Sequence, residues 1–469
     1  MAITFLDLME VWGRPFSSRQ FDMAQPLGEV STDSRSVNQG SFFVPLVGAR
    51  FDGHDFLSDA VKNGAKAAFI STDYKGMVPE GLCYWKVSNT LMAYQELARL
   101  HRVDLGLCVI AVTGSVGKTT TRELIRSALQ PFGKISSSIE NNNNDIGVPY
   151  TLFRANKSHS AVIVEMGMRG LGEIQRLSQC ARPDIAVITN IGSAHLEFLG
   201  SRENIATAKC EIVTSLSQGG LVVIPSGDSL LEAALAKVWS GRIVRVAVDR
   251  SNFCITEVTT KDIALKVNNA DFSGVVDQNI SSLTLNGENF KLPLEGFHNA
   301  KNLMLAIAVA NELKVPMNKL KELKVEIPSG RNTSLEFGAV NIMDESYNSS
   351  PEAMKASLEV LISKPGSHFA VIGTMKELGK ESIKWHREIG ETALKLGLDG
   401  MVIVSEGLEA QALAAGANGL MRLRVVNTAE EALNPLLAWV KSGDTILIKG
   451  SRAIKLERLL PLLKDAFNH

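Results

Sequence analysis

Val109-Ile110-Ala111-Val112-Thr113-Gly114-Ser115-Val116-Gly117-Lys118-Thr119-Thr120-Thr121 decides how this 469-residue chain is read. A β-branched apolar run predicts a buried strand, and two glycines punctuate the turn after it. Lys118-Thr119-Thr120 then opens an amphipathic segment, Arg122-Glu123-Leu124-Ile125-Arg126. Strand, loop and helix in that order make a phosphate-binding loop. Gly114 and Gly117 let backbone N–H groups curl around an oxyanion. Lys118 reaches the terminal phosphates, and the Thr119 hydroxyl can ligate Mg²⁺ at the positive end of the helix. The motif is a shortened form, because the full pattern has glycine where Val112 stands.

On the C-terminal side the α/β alternation continues. Ala161-Val162-Ile163-Val164-Glu165 reads as a buried strand ending in a carboxylate. Ile185-Ala186-Val187-Ile188-Thr189-Asn190 repeats the pattern and runs into Ile191-Gly192-Ser193-Ala194-His195, and Leu221-Val222-Val223-Ile224-Pro225 is another strand. Continuous apolar runs between helical stretches predict a parallel sheet covered on both faces. Ligands of such sheets sit at the carboxyl ends of the strands, where Gly114, Glu165 and His195 all fall.

The flanks differ. The first hundred residues mix short strand-like runs with Gly-rich turns, Ser31-Thr32-Asp33-Ser34-Arg35 and Asp52-Gly53-His54 among them. On residue type alone these are capping and turn chemistry. A helix from Thr90 leads to the middle domain. Residues from about Phe253 to Leu294 read as short β segments, an insertion or sheet extension, and Gly296-Phe297-His298-Asn299 opens an Ala-rich helix through Ala310. Pro328-Ser329-Gly330-Arg331 is the expected linker to a last α/β alternation. No GxGxxG follows the first strand of that region, so dinucleotide binding is unsupported. The reading is α/β in three domains. A small α/β N-terminal domain spans 1–105, a central P-loop ATPase-like parallel sheet 106–328, and a C-terminal Rossmann-like domain 329–469.

Composition narrows the classes. A soft prior of roughly 150 residues per domain also gives about three domains. A net charge of -1 gives no reason to expect nucleic acid or an anionic membrane. The five cysteines have no CxxC spacing, which fits a reduced protein better than a disulfide scaffold or zinc module. Acids stand in the first ten residues where a signal peptide carries bases, and no apolar run nears the ~20 residues of a membrane span. A soluble, cytoplasmic, monomeric protein is expected.

Three side chains invite chemistry. Glu165 offers the hard oxygen Mg²⁺ prefers. His195 is a poor first choice for that ion and by type alone a capping or core histidine. Lys209, in Ala208-Lys209-Cys210-Glu211, is by composition a solvated lysine.

Taken together, the phosphate loop, Glu165-Met166-Gly167, Asn190 to Glu197 and Ala208 to Glu211 resemble the Mur ligase family along nearly the whole chain. These are ATP-dependent amino-acid or peptide ligases of peptidoglycan synthesis. Asn141-Asn142-Asn143-Asn144-Asp145-Ile146-Gly147-Val148-Pro149, Asp344-Glu345-Ser346-Tyr347-Asn348-Ser349-Ser350-Pro351 and Gly373-Thr374-Met375-Lys376-Glu377-Leu378-Gly379 are most similar to members that add D-alanyl-D-alanine to UDP-N-acetylmuramoyl-tripeptide.

The resemblance implies roles. Thr113 to Thr120, His298, Asn299, Arg331 and Glu345 would bind ATP, with Asn299 the main base contact, Arg331 at the γ-phosphate and Glu345 on the ribose. Thr119, Glu165, His195 and a carbamylated Lys209 would hold Mg²⁺. Lys118, Lys209, His195 and Arg331 would be catalytic. Ser31, Asp33, Ser34, Arg35, Asp52 and His54 would face the UDP-sugar, and Asn143 and Asn144 the muramoyl peptide. Tyr347, Asn348, Lys449 and Arg452 would serve the incoming dipeptide or close the third domain. Glu345 and Thr374 depart from the family's aspartates. The alternatives are a sister ligase adding one amino acid, diaminopimelate or lysine, and a P-loop nucleotide switch or scaffold. Absence of Asp-Asn-Pro-Arg argues against the diaminopimelate-adding sister.

Overall fold

The computed structural model describes residues 3–17, 22–250, 270–277 and 281–468. It is a three-domain α/β fold built on three sheets of four, nine and six strands among those residues.

The middle sheet is organised as the apolar runs require. Cys108–Thr113 lies between Ala161–Glu165 and Ile185–Ile188, parallel to both, and Leu221–Pro225 continues the parallel run. Side chains alternate across the sheet. Ile110, Val112, Ile163 and Val187 face one core, under Lys118–Ala128 and Phe297–Glu312, whereas Val109, Ala111, Val162 and Ala186 face the other. Both faces are covered, which is why these strands carry no polar alternation. The Ala-rich helix Phe297–Glu312 is buried on nearly every side, and small residues let it lie against its neighbours.

The expected sheet extension exists where it is described. Phe272–Asp277 pairs parallel with Arg242–Arg250, then Ser282–Leu285 and Glu288–Lys291 add an antiparallel hairpin. Residues 253–269 of that stretch, Cys254 included, lie outside the described residues. Among the described residues Cys83, Cys108, Cys180 and Cys210 are free thiols, and no helix is long and apolar enough to cross a membrane.

The N-terminal sheet is four short parallel strands, Val30–Ser31, Phe42–Phe43, Ala67–Ser71 and Cys83–Val87, around Phe42, Phe69 and Trp85. The C-terminal sheet is open. Its four strands Val340–Glu345, Thr445–Lys449, His368–Gly373 and Gly400–Val404 run parallel, with Leu423–Val426 parallel at one edge and Thr333–Phe337 antiparallel at the other. The two edge strands, Thr-Ser-Leu-Glu-Phe and Leu-Arg-Val-Val, are short and not fully buried, and were not read from the sequence. This domain is fastened to the middle one by the ion pair Arg250–Glu359 at 2.6 Å and by Lys364 with Glu295.

Candidate active site

The phosphate loop lies where the strand–loop–helix order puts it. Gly114 has φ +150°, and a Cβ there would stand 1.8 Å from Thr189 Oγ1, so no other residue fits. Gly117, at φ +84°, precedes helix Lys118–Ala128, and no side chain caps that helix. Its first-turn N–H groups are therefore left for a ligand. Asn190 braces the loop: its Oδ1 accepts the Val116 N–H at 3.0 Å, and its Nδ2 donates to the Val116 carbonyl at 2.8 Å. Thr113 and Ser115 have hydroxyls engaged elsewhere. Thr113 donates to the Met166 carbonyl, and Ser115 Oγ accepts the Gly192 N–H.

A cavity of about 1110 Å³ opens over this loop between the middle and C-terminal domains. Ser115 to Thr120, Asn143, Asn144, Glu165 and His195 line one side. His298 and Asn299 also line it from the middle domain, and Arg331, Glu345, Tyr347, Asn348 and Lys449 line it from the C-terminal domain. Of the strand-tip groups singled out by spacing, Glu165 and His195 share this space. Thr113 and Gly114 sit behind it, and Arg452 is exposed outside it.

Glu165 is the hub of the phosphate side. Buried at the tip of its strand, it accepts from Thr119 Oγ1 at 2.9 Å and Arg122 Nη1 at 3.1 Å on Oε2, and from Asn143 Nδ2 at 2.8 Å on Oε1. Arg122 also forms a 2.6 Å pair with Glu123. Neither arginine nor glutamate reads as buried in an amphipathic segment; the one available signal was Arg122 lying a helical turn after Lys118. Lys118 donates to the Gly114 carbonyl at 2.7 Å, and burial, outweighing the pull of Glu165, lowers its pKa.

His195 faces the third domain. Its Nδ1 is 2.6 Å from Glu377 Oε2, and both residues have left-handed backbones, φ +66° and +64°. The pairing with His195, set against burial, holds the Glu377 carboxyl below the usual range. Glu352, on the first turn of Pro351–Leu361, accepts the Ser193 N–H at 2.9 Å. Glu352 and Glu377 were not among the expected site residues.

Lys209 is not the solvated lysine its neighbours suggest. It is 1% exposed and has no hydrogen bond or ion pair among the described residues. Burial, then the nearby Lys118 charge, pushes its pKa well below the ordinary lysine value, which favours the neutral amine.

Across the cavity, Glu345 Oε2 accepts from Lys449 at 2.8 Å and Ser357 Oγ at 2.7 Å. Burial would raise its pKa, but Lys449, Ser357 and His298 together keep it lowered. Asn299 is committed to the protein: its amide donates to the Glu295 carbonyl at 2.6 Å and its oxygen accepts from Asn302. His298 has no hydrogen bond among the described residues, and burial keeps it neutral. Of these two cavity-lining residues, His298 is therefore the one with unengaged polar atoms. The guanidiniums of Arg331 and Arg452 both lie over the Tyr347 ring, 3.9 and 5.0 Å from its centroid. Thr374, in place of an aspartate, is buried with an unpartnered hydroxyl, and its carbonyl accepts the Ser451 N–H at 3.0 Å. That backbone bond needs no carboxylate.

The N-terminal residues do not enter this cavity. Asp33 and Arg35 pair at 2.7 Å on the surface, and the arginine holds the Asp33 carboxyl near 2, down to about 2 from its ordinary value. Ser31 Oγ donates to the Asp33 carbonyl, and Ser34 is buried. Asp52 is half-exposed, but His54 cannot face a sugar. Its ring is buried against Tyr74, with Nε2 accepting the Ser71 N–H at 3.0 Å and Nδ1 at 2.6 Å from Asp52.

The donor set suits Mg²⁺. Thr119 and Glu165 bring two hard oxygens together at the cavity edge, and this ion keeps several waters and takes few protein ligands. Asn144 Oδ1 accepts the Ile146 and Gly147 N–H groups at 3.2 and 2.9 Å, holding the turn before helix Gly147–Phe153.

Comparisons with known proteins agree along the chain. Family models described as the Mur ligase family catalytic domain, the Mur ligase middle domain and the Mur ligase glutamate ligase domain match residues 27–99, 112–310 and 331–452. The chain is 36% identical to the UDP-N-acetylmuramoyl-tripeptide–D-alanyl-D-alanine ligase of Synechocystis, over 92% of this chain and 90% of that one. It is 34% identical to the Bacillus subtilis enzyme of the same name, over 92% of each. Its fold superposes on MurF from Acinetobacter baumannii with TM-score 0.80 at 28% identity, covering 93% of each chain. On the MurF ligase of Thermotoga maritima in complex with ADP the TM-score is 0.79 at 29% identity, covering 94% of this chain and 97% of that one.

Proposed function

The chain belongs to the Mur ligase family, and from that premise we propose that it joins D-alanyl-D-alanine to UDP-N-acetylmuramoyl-tripeptide in peptidoglycan precursor synthesis, using ATP. The observation that supports this most is the shared cavity, where a phosphate loop on one domain faces Arg331, Tyr347 and Lys449 on another.

A carboxylate at neutral pH is a poor electrophile with no leaving group. In the proposed reaction the tripeptide's terminal carboxylate attacks the γ-phosphorus of ATP, giving an acyl phosphate and ADP. The dipeptide amine, having lost its extra proton, then attacks the acyl carbon, and the C–O bond to phosphate breaks. Anions crowd together throughout, so cations must be fixed in advance. Lys118, released from the Gly114 carbonyl, and Arg331, held over the Tyr347 ring, are the candidates for the transferring phosphoryl group. Uncapped N–H groups of the first helical turn cradle the phosphates. Thr119, Glu165 and His195 would hold Mg²⁺, which when bound neutralises charge on the phosphates.

Lys209 joins that set only as a carbamate. Its buried, neutral amine is the form that adds CO₂, and the product exchanges a cation for an anionic ligand. His298, with Asn299 holding the turn behind it, is assigned to the adenine, and Glu345 to the ribose. Asn143, Asn144, Tyr347 and Asn348 are assigned to the two peptides, with Lys449 and Arg452 supporting the third-domain wall. Ser31, Asp33, Arg35 and Asp52 remain the N-terminal candidates for the UDP-sugar, with Ser34 and His54 shaping the turns beneath. Closure of the N- and C-terminal domains over the cavity would exclude water from the acyl phosphate.

We propose 1–105, 106–328 and 329–469 as the limits of the three domains. Gly106, left-handed after helix Thr90–Leu105, supports the first. A monomer acting in the cytoplasm is proposed, and the free thiols fit a reducing compartment.

The test uses tripeptide labelled with ¹⁸O in its terminal carboxylate. With ATP and D-alanyl-D-alanine, label should appear in the released phosphate, because that oxygen leaves with phosphorus. Unlabelled phosphate would overturn the acyl phosphate, and no peptide product would overturn the ligase.

A further inference from the structure

Two non-glycine residues with left-handed backbones meet across the interface between the middle and C-terminal domains. His195 follows the tip of Ile185–Ile188, and Glu377 follows His368–Gly373. Such conformations cost about 1 kcal/mol or more and persist where surrounding structure enforces them. Here the surroundings are each other. The carboxylate of Glu377 stands 2.6 Å from His195 Nδ1, the Glu377 carbonyl accepts the Glu197 N–H at 3.1 Å, and a Cβ on Gly379 would stand 3.1 Å from the Glu197 Cα. The loop bearing Glu377 is itself pinned: buried His386 Nε2 accepts the Met375 N–H at 2.9 Å. Both His195 and Glu377 line the cavity that holds Lys118, Thr119 and Glu165.

We infer that Glu377 is a positioning residue: it fixes the His195 ring through Nδ1, leaving Nε2 as the nitrogen available to a divalent cation at the phosphate site. A ring nitrogen whose proton faces a carboxylate leaves the opposite nitrogen as a lone pair. Because Glu377 belongs to the C-terminal domain, the imidazole is held only while that domain is seated. Cation binding and seating then favour each other, as linkage requires. This rests on the reading of His195 as a cation ligand given above.

The test measures Mn²⁺ binding by electron paramagnetic resonance in the full chain with ADP, in wild type, Glu377→Gln, Glu377→Asp and His195→Gln. Glu377→Gln keeps shape and backbone demand while removing the charge. The apparent Mn²⁺ dissociation constant should rise about 10-fold or more, as for other supporting carboxylates. The kcat for ligation should fall, with KM for D-alanyl-D-alanine nearly unchanged. Glu377→Asp should recover part of the affinity, and it stands in if the glutamine variant fails to fold. Unchanged Mn²⁺ binding in both Glu377 variants, with His195→Gln weakened, would overturn the positioning role and leave the cation reading intact. Unchanged binding in all three variants would overturn both.

Discussion

Thr119 donates its hydroxyl to Glu165 Oε2 at 2.9 Å, tying the first turn of the phosphate-loop helix to the tip of the neighbouring strand. Arg122, one turn further along, reaches the same oxygen at 3.1 Å. The site's carboxylate is therefore held in place before any ligand arrives.

That arrangement predicts a stability effect. Arg122→Met removes a buried cation from two buried carboxylates, Glu123 and Glu165. Breaking a buried pair from one side costs about 3–5 kcal/mol, so thermal or urea unfolding should show a large loss. A variant as stable as wild type would mean these charges are neutralised by other means.

Lys118→Ala should separate catalysis from stability. The lysine is buried with a lowered pKa and bonded to its own loop, so the fold loses no favourable ion pair. Ligation should drop by about 10²–10³-fold or more, as when one preorganised donor to developing charge is removed. Circular dichroism and melting temperature should be nearly unchanged. Full activity would remove the phosphate role.

Lys209→Ala should be nearly inactive and partly rescued by short carboxylic acids such as formate or acetate, which supply the missing anion. Rescue should saturate with acid concentration in a ligation assay. A fully active Lys209→Ala would contradict the carbamate.

Much of the fold was readable because the middle strands are uniformly apolar and end in polar groups, so Ala161–Glu165 declares both its burial and its tip. Arg242–Arg250 was harder: charged residues at both ends and in the middle hide a nine-residue strand. The site was half legible. Gly114, Lys118 and Thr119 follow from local chain geometry, which spacing records. The burial of Lys209 and Arg122, and the meeting of Glu377 with His195, arise from elements far apart in sequence. Residue type misleads there, because lysine and arginine on a helix are ordinarily solvated. Likewise His54 is a polar residue in a turn that packing turned inward.

A pH effect follows from His386. Burial, working against its bond to the Ser382 carbonyl, lowers its pKa, so the folded protein holds it neutral while the unfolded chain takes up a proton near pH 6.5. The unfolded state then binds more protons, and stability falls as pH drops below that value, by at most about 1.4 kcal/mol per pH unit for one such group. Melting temperatures at pH 7.5 and 5.5 should differ less in His386→Leu than in wild type. An equal drop in both would assign the acid sensitivity to other groups.

The central claim is that one cavity holds a triphosphate, a carboxylic acid and an amine in line. The most direct measurement is the mass of the product formed from ATP, UDP-N-acetylmuramoyl-tripeptide and D-alanyl-D-alanine, with lysine and diaminopimelate as competing amines. The product should be heavier by the dipeptide less one water, with one ADP and one phosphate released per bond. Addition of a single amino acid, or ATP hydrolysis indifferent to the peptides, would contradict it.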